Sequence, residues 1–279
     1  MTETPYHPAT YWTERFRDHF DLDATGYLGL GLGMNTWIYW RRRAAVRRLL
    51  RRHRIRVRGA TVSELGVGSG YWVAEWRRLG AGRVLGADIT TVAVERLAQR
   101  YPDYTFVQSD LGTGDALQGL PIGDGFDLVV AMEVLLHITD PSQFEAALNT
   151  VARLTKPGGH VLLSDLFLSV EVATYHQVSR TLGEYRRAMG RRGFELVDRV
   201  PVFFLLHPSE FEKRGLRRWT ARQRWRLTAK SLHLMPALGW VLGAPLFAFD
   251  SVAARLAREG PSTHLTLWQR SPALTGRRQ

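Results

Sequence analysis

From Thr10 to Phe20, aromatic side chains fall at Trp12, Phe16 and Phe20. That i, i+4, i+8 spacing predicts a short amphipathic helix. The next stretch, GYLGLGLG from Gly26 to Gly33, follows no strand and lacks the Lys-Ser/Thr ending of a phosphate loop. It reads as a flexible connector or an active-site cover. Residues 36–54 return to helical spacing, with Ile38, Ala45, Leu49 and Leu50 inward and arginines outward. No internal repeat is present.

From Gly59 onward short apolar runs alternate with helical patterns. ATVSELGVGSG predicts a strand, a tight glycine turn and a helix over Tyr71–Leu79. RVLGADI is a second strand ending in Asp88, and a helix through Ala93–Arg100 leads to YTFVQSDL, a third ending in Asp110. FDLVVAMEVL is a fourth, buried strand. Asp140-Pro141 opens a helix with Phe144, Leu148, Val151 and Leu154 inward, and KPGGHVLLSDLF is a fifth strand. A helix over 181–192, then GFELVDRVPVFFLL and THLTLWQR as sixth and seventh strands, complete the series. Strands alternating with helices predict an α/β fold with a doubly wound, seven-stranded, mostly parallel sheet. The expected layout is an N-terminal helical cap (1–58), the α/β core (59–207), a helical insertion or lid (208–262), and the last strand with a tail (263–279).

The insertion carries 19 residues without a formal charge, Ser231–Phe249. That meets the bare length of a membrane span. Pro236 and Pro245 are expected to break the run, His233 sits in it, and one crossing would strand the last strand across the bilayer. A hydrophobic lid or an interfacial hairpin fits better.

Composition narrows the chemistry. The 279 residues, 45% hydrophobic and 23% charged, are ordinary globular values. The absence of cysteine excludes disulfides, Cys zinc sites, iron–sulfur clusters, radical chemistry on such clusters, and base methylation through a Cys adduct. The first 23 residues are studded with Glu, Asp and Arg instead of a basic start and an apolar run, so the expected location is the cytoplasm. The net charge of +12 is concentrated: residues 36–58 hold ten Arg and residues 213–230 six Arg and two Lys, with no acid in either, leaving the remainder at −6. Residues 101–150 carry eight carboxylates and no Lys or Arg. Such blocks read as solvated helix faces, or as a surface for an anionic membrane or substrate, rather than as a nucleic-acid grip. Peripheral membrane contact through 213–249 is an expectation on the same ground.

In an open α/β sheet, ligands bind at the carboxyl ends of the strands. Gly66, Gly68 and Gly70 sit at the first such end, where missing Cβ atoms let a ligand lie on the backbone. A dinucleotide fingerprint would need glycine at 71, where Tyr71 stands. Glu64 suits a cationic ligand better than a pyrophosphate. Asp88, twenty residues past Gly68, can accept from ribose hydroxyls, and Asp110 from an exocyclic amine; each taken alone could equally cap a loop. Together they describe a nucleoside with a cationic tail.

ELGVGSG, the acid in GADI, SDL, FDLVVAMEVL and LTKPGGHVLLSD resemble the successive motifs of class I S-adenosylmethionine-dependent methyltransferases, over about residues 60–205. The resemblance implies a Rossmann-like methyltransferase core, S-adenosyl-L-methionine as cofactor and S-adenosyl-L-homocysteine as product. It further implies that Gly66, Gly68 and Gly70 border the methionine part and that Asp88 holds the ribose. Asp110 and Leu111 would contact adenine, Ile89 would pack on its face, and Glu64 and Met132 would lie by the amino acid end. MEVLLHITDP is also similar to the M-E-x-L-E-H-V-x-D-P stretch of ubiquinone-biosynthesis O-methyltransferases, whose two Glu and His bind a divalent metal in some relatives. Here Leu136 replaces the second Glu, and Glu133 and His137, four apart on one expected helical face, are too few for a dedicated site. No metal is expected.

The expected activity is methyl transfer to a small-molecule or lipid-like acceptor, at oxygen. His137 is the candidate base, its alternative a helix-stabilising or packing role. Asp165 and Glu133 are the further catalytic candidates. Tyr175 and His176 are candidates for acceptor contact, with Tyr27, Trp37 and Tyr39 in a cap. The many aromatics would also suit methylation of an alkene or isoprenoid-like carbon, where a cation–π wall stabilises a carbocation. A nucleic-acid acceptor is disfavoured, because strand four lacks the Asn/Asp-Pro-Pro-Tyr/Phe motif expected for exocyclic base amines. From another class, a peripheral membrane or partner-binding module on a degenerate cofactor fold stays open, as does the oligomeric state.

Overall fold

The computed structural model describes residues 6–120, 122–207, 215–261 and 263–272. Three helices lead the chain: α1 (Pro8–Asp18), the short α2 (Leu22–Thr25) and α3 (Gly31–Arg52). Then come β1 (Thr61–Leu65), α4 (Tyr71–Leu79), β2 (Arg83–Asp88), α5 (Thr91–Arg100), β3 (Thr105–Gln108) and β4 (Phe126–Met132). A single 3₁₀ turn (Leu135–His137) precedes α6 (Pro141–Leu154), β5 (Thr155–Asp165), a small hairpin β6 (Val172–Ala173) and β7 (Val178–Ser179), and α7 (Leu182–Gly190). β8 (Phe194–Pro201), α8 (Gly215–Leu234), α9 (Leu238–Leu256) and β9 (His264–Arg270) close the series.

The main sheet has seven strands in the order β3-β2-β1-β4-β5-β9-β8. β1 to β5 pair in parallel, and β9 runs antiparallel between β5 and β8. Alternation along each strand sorts two cores. Val62, Val84, Leu128, Val130 and Leu162 pack with α3 and α4, while Val129, Ala131, Val161 and Leu163 pack with α6 and α7. Local chemistry starts the helices where the sequence predicts. Asp140 accepts from the Ser142 and Gln143 N–H groups with Pro141 in the first turn, and Thr181 and Glu184 form a reciprocal capping box.

Three expectations change. The glycine-rich stretch is no connector throughout, because α3 already begins at Gly31. A Cβ on Gly33 would fall 2.8 Å from the Trp240 backbone nitrogen, so this glycine serves close packing against α9. The hairpin β6–β7 is too short to carry a hydrophobic period. Finally, Pro236 lies in the turn between α8 and α9, but Pro245 sits inside α9 without ending it; it forfeits one helical hydrogen bond. Tight packing on α3 holds the helix: a Cβ at Gly239 would lie 2.7 Å from the Met34 nitrogen, and one at Gly243 would run into the Trp37 ring. No helix among the described residues is long and apolar enough to cross a membrane. Of the basic block 213–230, Lys213 and Arg214 lie outside the described residues.

Candidate functional site

A cavity of about 610 Å³ opens at the carboxyl ends of β1, β2 and β4. Its floor is the turn after β1. Gly66 (φ +74°) and Gly68 (φ +51°) adopt left-handed conformations, and a Cβ on Gly66 would collide with Val134 at 2.4 Å. Gly70 (φ +81°) caps α4 just behind the wall. Asp88 braces this floor. Its Oδ2 accepts from the Gly68 N–H at 2.9 Å, and its Oδ1 from the Thr90 N–H and hydroxyl at 3.0 and 2.8 Å. Of these three bonds two fall on Oδ1 and one on Oδ2, so Oδ2 is the less committed oxygen. Burial pushes the Asp88 carboxyl up from its ordinary range.

Ile89, Asp110 and Leu111 line the same cavity; Asp110 is exposed and spends Oδ1 on the Gly112 N–H at 2.8 Å. Glu64 is 1% exposed and lies behind the floor, between the sheet and α4. Its Oε2 accepts from the Trp76 indole N–H at 2.8 Å, while Oε1 has no partner. Burial raises its pKa well above the usual carboxylate range.

The far wall is the turn after β4. Met132, Glu133 and His137 all line it. Glu133 takes a left-handed backbone (φ +57°), which separates it from the 3₁₀ turn over Leu135–His137. The helical face expected to join Glu133 and His137 therefore does not exist. Glu133 instead accepts from the buried Arg42 guanidinium through Oε2 and from the Thr263 hydroxyl at 3.2 Å through Oε1. His137 Nδ1 lies 3.0 Å from the His176 carbonyl oxygen. A carbonyl only accepts, so Nδ1 carries the proton and Nε2 keeps its lone pair. Burial, with the nearby His176 and Arg15, pushes His137 down to about 4.

The roof comes from the N-terminal segment. Trp12 stands edge-on to the His137 ring at 5.1 Å, and Phe16 and Thr25 reach the glycine floor. The Thr25 and Ser69 hydroxyls are hydrogen-bonded at 3.1 Å. The Trp12–Phe16 stripe was legible as a helix face, but nothing in its spacing named the cavity as its partner. Tyr39 also lines the wall, with the Arg42 guanidinium over its ring at 5.0 Å.

Several expected site residues stand elsewhere. Asp165 is buried behind the wall, accepting from the Tyr185 hydroxyl and the Leu166 N–H, each at 2.6 Å. Burial pushes it up to about 7. Tyr27 packs against His207 and Trp225, and Trp37 against Phe247 of α9. Tyr175 is exposed, edge-on to Tyr6 at 5.7 Å. His176 touches the site through its carbonyl and by stacking on His137 at 5.6 Å. None of these five is part of the cavity wall. The lid expected of 208–262 is not over the cavity either: no described residue of that insertion lines it, and α9 packs along α3.

Residues 62–159 match the family model described as a methyltransferase domain. Over 167 residues the chain is 28% identical to a tRNA U34 carboxymethyltransferase of Alteromonas mediterranea, covering 52% of this chain and 48% of that one. Over 164 residues it is 26% identical to a ubiquinone biosynthesis O-methyltransferase of Rhizobium etli, covering 52% and 64%. The chain thus spans less than two thirds of either relative. The fold is similar to that of magnesium protoporphyrin IX methyltransferase from Synechocystis PCC 6803, with a TM-score of 0.54 at 15% identity over 94% of this chain and 95% of that one.

The cavity suits the S-adenosylmethionine that the motifs imply. Four carboxylates, Asp88, Asp110, Glu133 and Asp140, line it, and no Lys or Arg does among the described residues. Glu133 is already paired with Arg42, which leaves Asp88, Asp110 and Asp140 as the lining carboxylates without an ion-pair partner among the described residues, a charge that suits a cationic ligand. The glycines let the turn after β1 pack closely under Val134 and Thr25 and so shape the cavity floor, and the volume falls within the ~300–1,000 Å³ of cofactor sites.

Proposed function

We propose that this chain, whose residues 62–159 form a methyltransferase domain of the class I S-adenosylmethionine-dependent family, transfers a methyl group to oxygen on a small-molecule or lipid-like acceptor. The carrying observation is the glycine-floored cavity whose lining carries carboxylates and no Lys or Arg among the described residues, with His137 on its far wall. The bound cofactor would supply an electrophilic methyl on a sulfonium. Gly66, Gly68 and Gly70 would border its methionine part and Asp88 its ribose. Ile89, Asp110 and Leu111 would flank its adenine, and Met132 its amino acid end. Glu64 would act through Trp76 and α4, because it stands behind the floor. Holding both reactants in line is the chain's main contribution, with effective-concentration gains of ~7–11 kcal/mol.

His137 is the proposed base. Its Nδ1–H is committed to the His176 carbonyl, so Nε2 can take the acceptor's hydroxyl proton. Trp12 and Phe16 close the roof and exclude water from that proton. Glu133 is proposed as a positioning residue, fixing the β4 turn through Arg42. Tyr39 would border the acceptor from the wall, and His176 would act on the site through its carbonyl at His137, while Tyr175 stands outside the cavity against Tyr6. Tyr6, Trp12, Phe16, Tyr39, Tyr71 and Trp72 on the wall favour a second reading, methylation of an alkene carbon, in which the rings would stabilise the cation formed. Contact with a membrane surface through 213–249 is proposed separately and depends on neither acceptor.

Titration calorimetry with S-adenosylhomocysteine, followed by methyl-label incorporation into phenols and isoprenoid alkenes, tests it. Binding with labelled phenol is expected. Labelled alkene alone would replace the oxygen acceptor, and no heat of binding would end the proposal.

A further inference from the structure

Exposed apolar side chains on this protein are concentrated on one feature. Along α9, Val241 (69% exposed), Phe249, Val252 and Leu256 (81%) fall at helical spacing, with Pro245 between the first two. At the turn into the helix, Leu234 and Met235 are exposed as well. Leu32 extends the patch from the start of α3, where Gly31 abuts Pro236. The Gly239 and Gly243 contacts lock the opposite face of α9 onto α3, so this stripe faces outward by construction. A contiguous apolar strip of this length marks a docking surface.

Charge identifies the occupant. From residue 213 to residue 258 the sequence holds one carboxylate, Asp250. It is fully buried, accepting from the backbone N–H groups of Phe204, Leu205 and Leu206. Exposed Arg255 and Arg258 stand at the C-terminal end of the stripe, and Arg226 and Lys230 are exposed on α8. At its far end, Leu256 joins the rim of a second cavity, of about 510 Å³, lined by Arg48, Arg52, Arg186, Arg199, Arg255 and Arg258. Only Asp198 and Glu259 offset them there, through Arg52 and Arg199. Arg48 is pushed down by burial and by the Arg52 and Arg255 charges, as like charges crowding one hollow require.

We propose that the outer face of α9 lies in the interface of an anionic phospholipid bilayer, with lipid phosphates received by the arginine cavity at its C-terminal end. An apolar helix face seated among headgroups with cations at its margin is the physics of interfacial helices. The inference rests on the membrane contact of the reading above and is independent of the methyl transfer.

The test is flotation of the full-length protein with vesicles of pure phosphatidylcholine or of phosphatidylcholine with phosphatidylglycerol, at low and high salt. Wild type should float with the anionic vesicles, less at high salt. V241E and V252E should each cut binding by about tenfold or more, the expected worth of one withdrawn apolar side chain. R255E/R258E should lose the preference for phosphatidylglycerol. Inorganic phosphate at millimolar level that abolished binding would mean a free-phosphate site and overturn the lipid assignment. So would wild type that failed to float, or apolar variants that floated as well as wild type. Light scattering showing a dimer that V241E dissolves, without flotation, would assign the face to a second copy. If a variant melts early, L234E and M235E at the turn replace it. S-adenosylhomocysteine calorimetry on each variant keeps the two readings apart, because docking variants should bind it as wild type does.

Discussion

Asp88→Asn isolates the charge at the heart of the cofactor reading. The amide keeps the carboxylate's shape. Its oxygen will take the Oδ1 place, where it can still accept both Thr90 bonds, and its NH₂ then meets the Gly68 N–H, donor against donor. A hydrogen bond to a charged acceptor is worth ~1.5–3 kcal/mol, and an unsatisfied buried N–H costs ~1–3 kcal/mol. Relief of the burial penalty that raises the Asp88 pKa offsets part of this in the free protein. Net stability should therefore fall by only ~1–2 kcal/mol. A ribose hydroxyl on the Oδ2 side can turn to accept from the amide NH₂, but this neutral bond replaces a charge-assisted one, so affinity for S-adenosylhomocysteine should drop about tenfold. Thr90→Ala is the control: it removes the hydroxyl bond to Oδ1, keeps the backbone N–H bond there and spares Oδ2, and should change affinity by less than about fivefold. Calorimetric titration of all three proteins, with melting curves, reads both quantities. Equal affinity in Asp88→Asn and wild type, with only the melting point lowered, would make Asp88 a loop brace and refute the ribose assignment.

Other sites give further expectations. Because the folded His137 titrates near 4 rather than 6.5, the unfolded chain binds the proton first, so stability should decline as pH falls from about 6.5 to 4, by up to ~3 kcal/mol. His137→Ala should flatten that decline in melting curves and lower kcat by ~10²–10⁴ with cofactor affinity kept; equal losses in both would remove the base assignment. Asp165 titrates near 7 when folded, so ionising it costs stability as pH rises from about 4 to 7. Asp165→Asn keeps an acceptor for the Leu166 N–H, and the Tyr185 hydroxyl can turn to accept. The variant should be as stable or more so at pH 8 and retain turnover; loss of turnover would return Asp165 to the catalytic set. Glu133→Ala leaves Arg42, 4% exposed, without its carboxylate, and should destabilise by ~3–5 kcal/mol in denaturant melts. A variant within about 1 kcal/mol of wild type would show the pair to be dispensable.

Which parts were legible follows from where the information sits. The sheet was readable because β2, β4 and β5 carry short apolar runs (Val84–Ala87, Leu128–Met132, Val161–Leu163) and helices start at Thr90, Asp140 and Thr181, whose side chains cap locally. The glycine floor and Asp88 were readable because strand ends and sequence distance bring them together. The helical face joining Glu133 to His137 was misread because Glu133 has a left-handed backbone and takes its partners, Arg42 and Thr263, from 91 and 130 residues away, which leaves no local signature. The same holds for the roof, since Trp12 finds His137 only after the sheet forms. Tyr27, Tyr175 and Asp165 looked like site residues by position in sequence alone. Each is drawn off by a neighbour the pattern could not supply: His207, Tyr6 and Tyr185.

The arginine block over 36–58 carries the most general consequence. Read as composition, ten Arg without an acid suggested a solvated face or an anionic surface. In the fold, five of the ten are internal ties. Arg42 reaches Glu133 at the cavity wall, Arg47 reaches Glu75 on α4, Arg48 the Ala254 carbonyl on α9, and Arg52 Asp198 on β8. Arg41, 4% exposed and pushed down to about 10 by burial, is steadied by the Asp250 charge. Only a long side chain with several directed donors can span from one helix to four different elements, which is why these ties are arginines and not lysines. α3 is therefore the strut that joins the cavity wall to the seat of α9; its ties at Arg41 and Arg42 are buried, while Arg48 and Arg52 also line the second cavity. The cations open to an anionic partner lie instead at the C-terminal end of α9, where Arg255 and Arg258 stand beside an exposed apolar stripe.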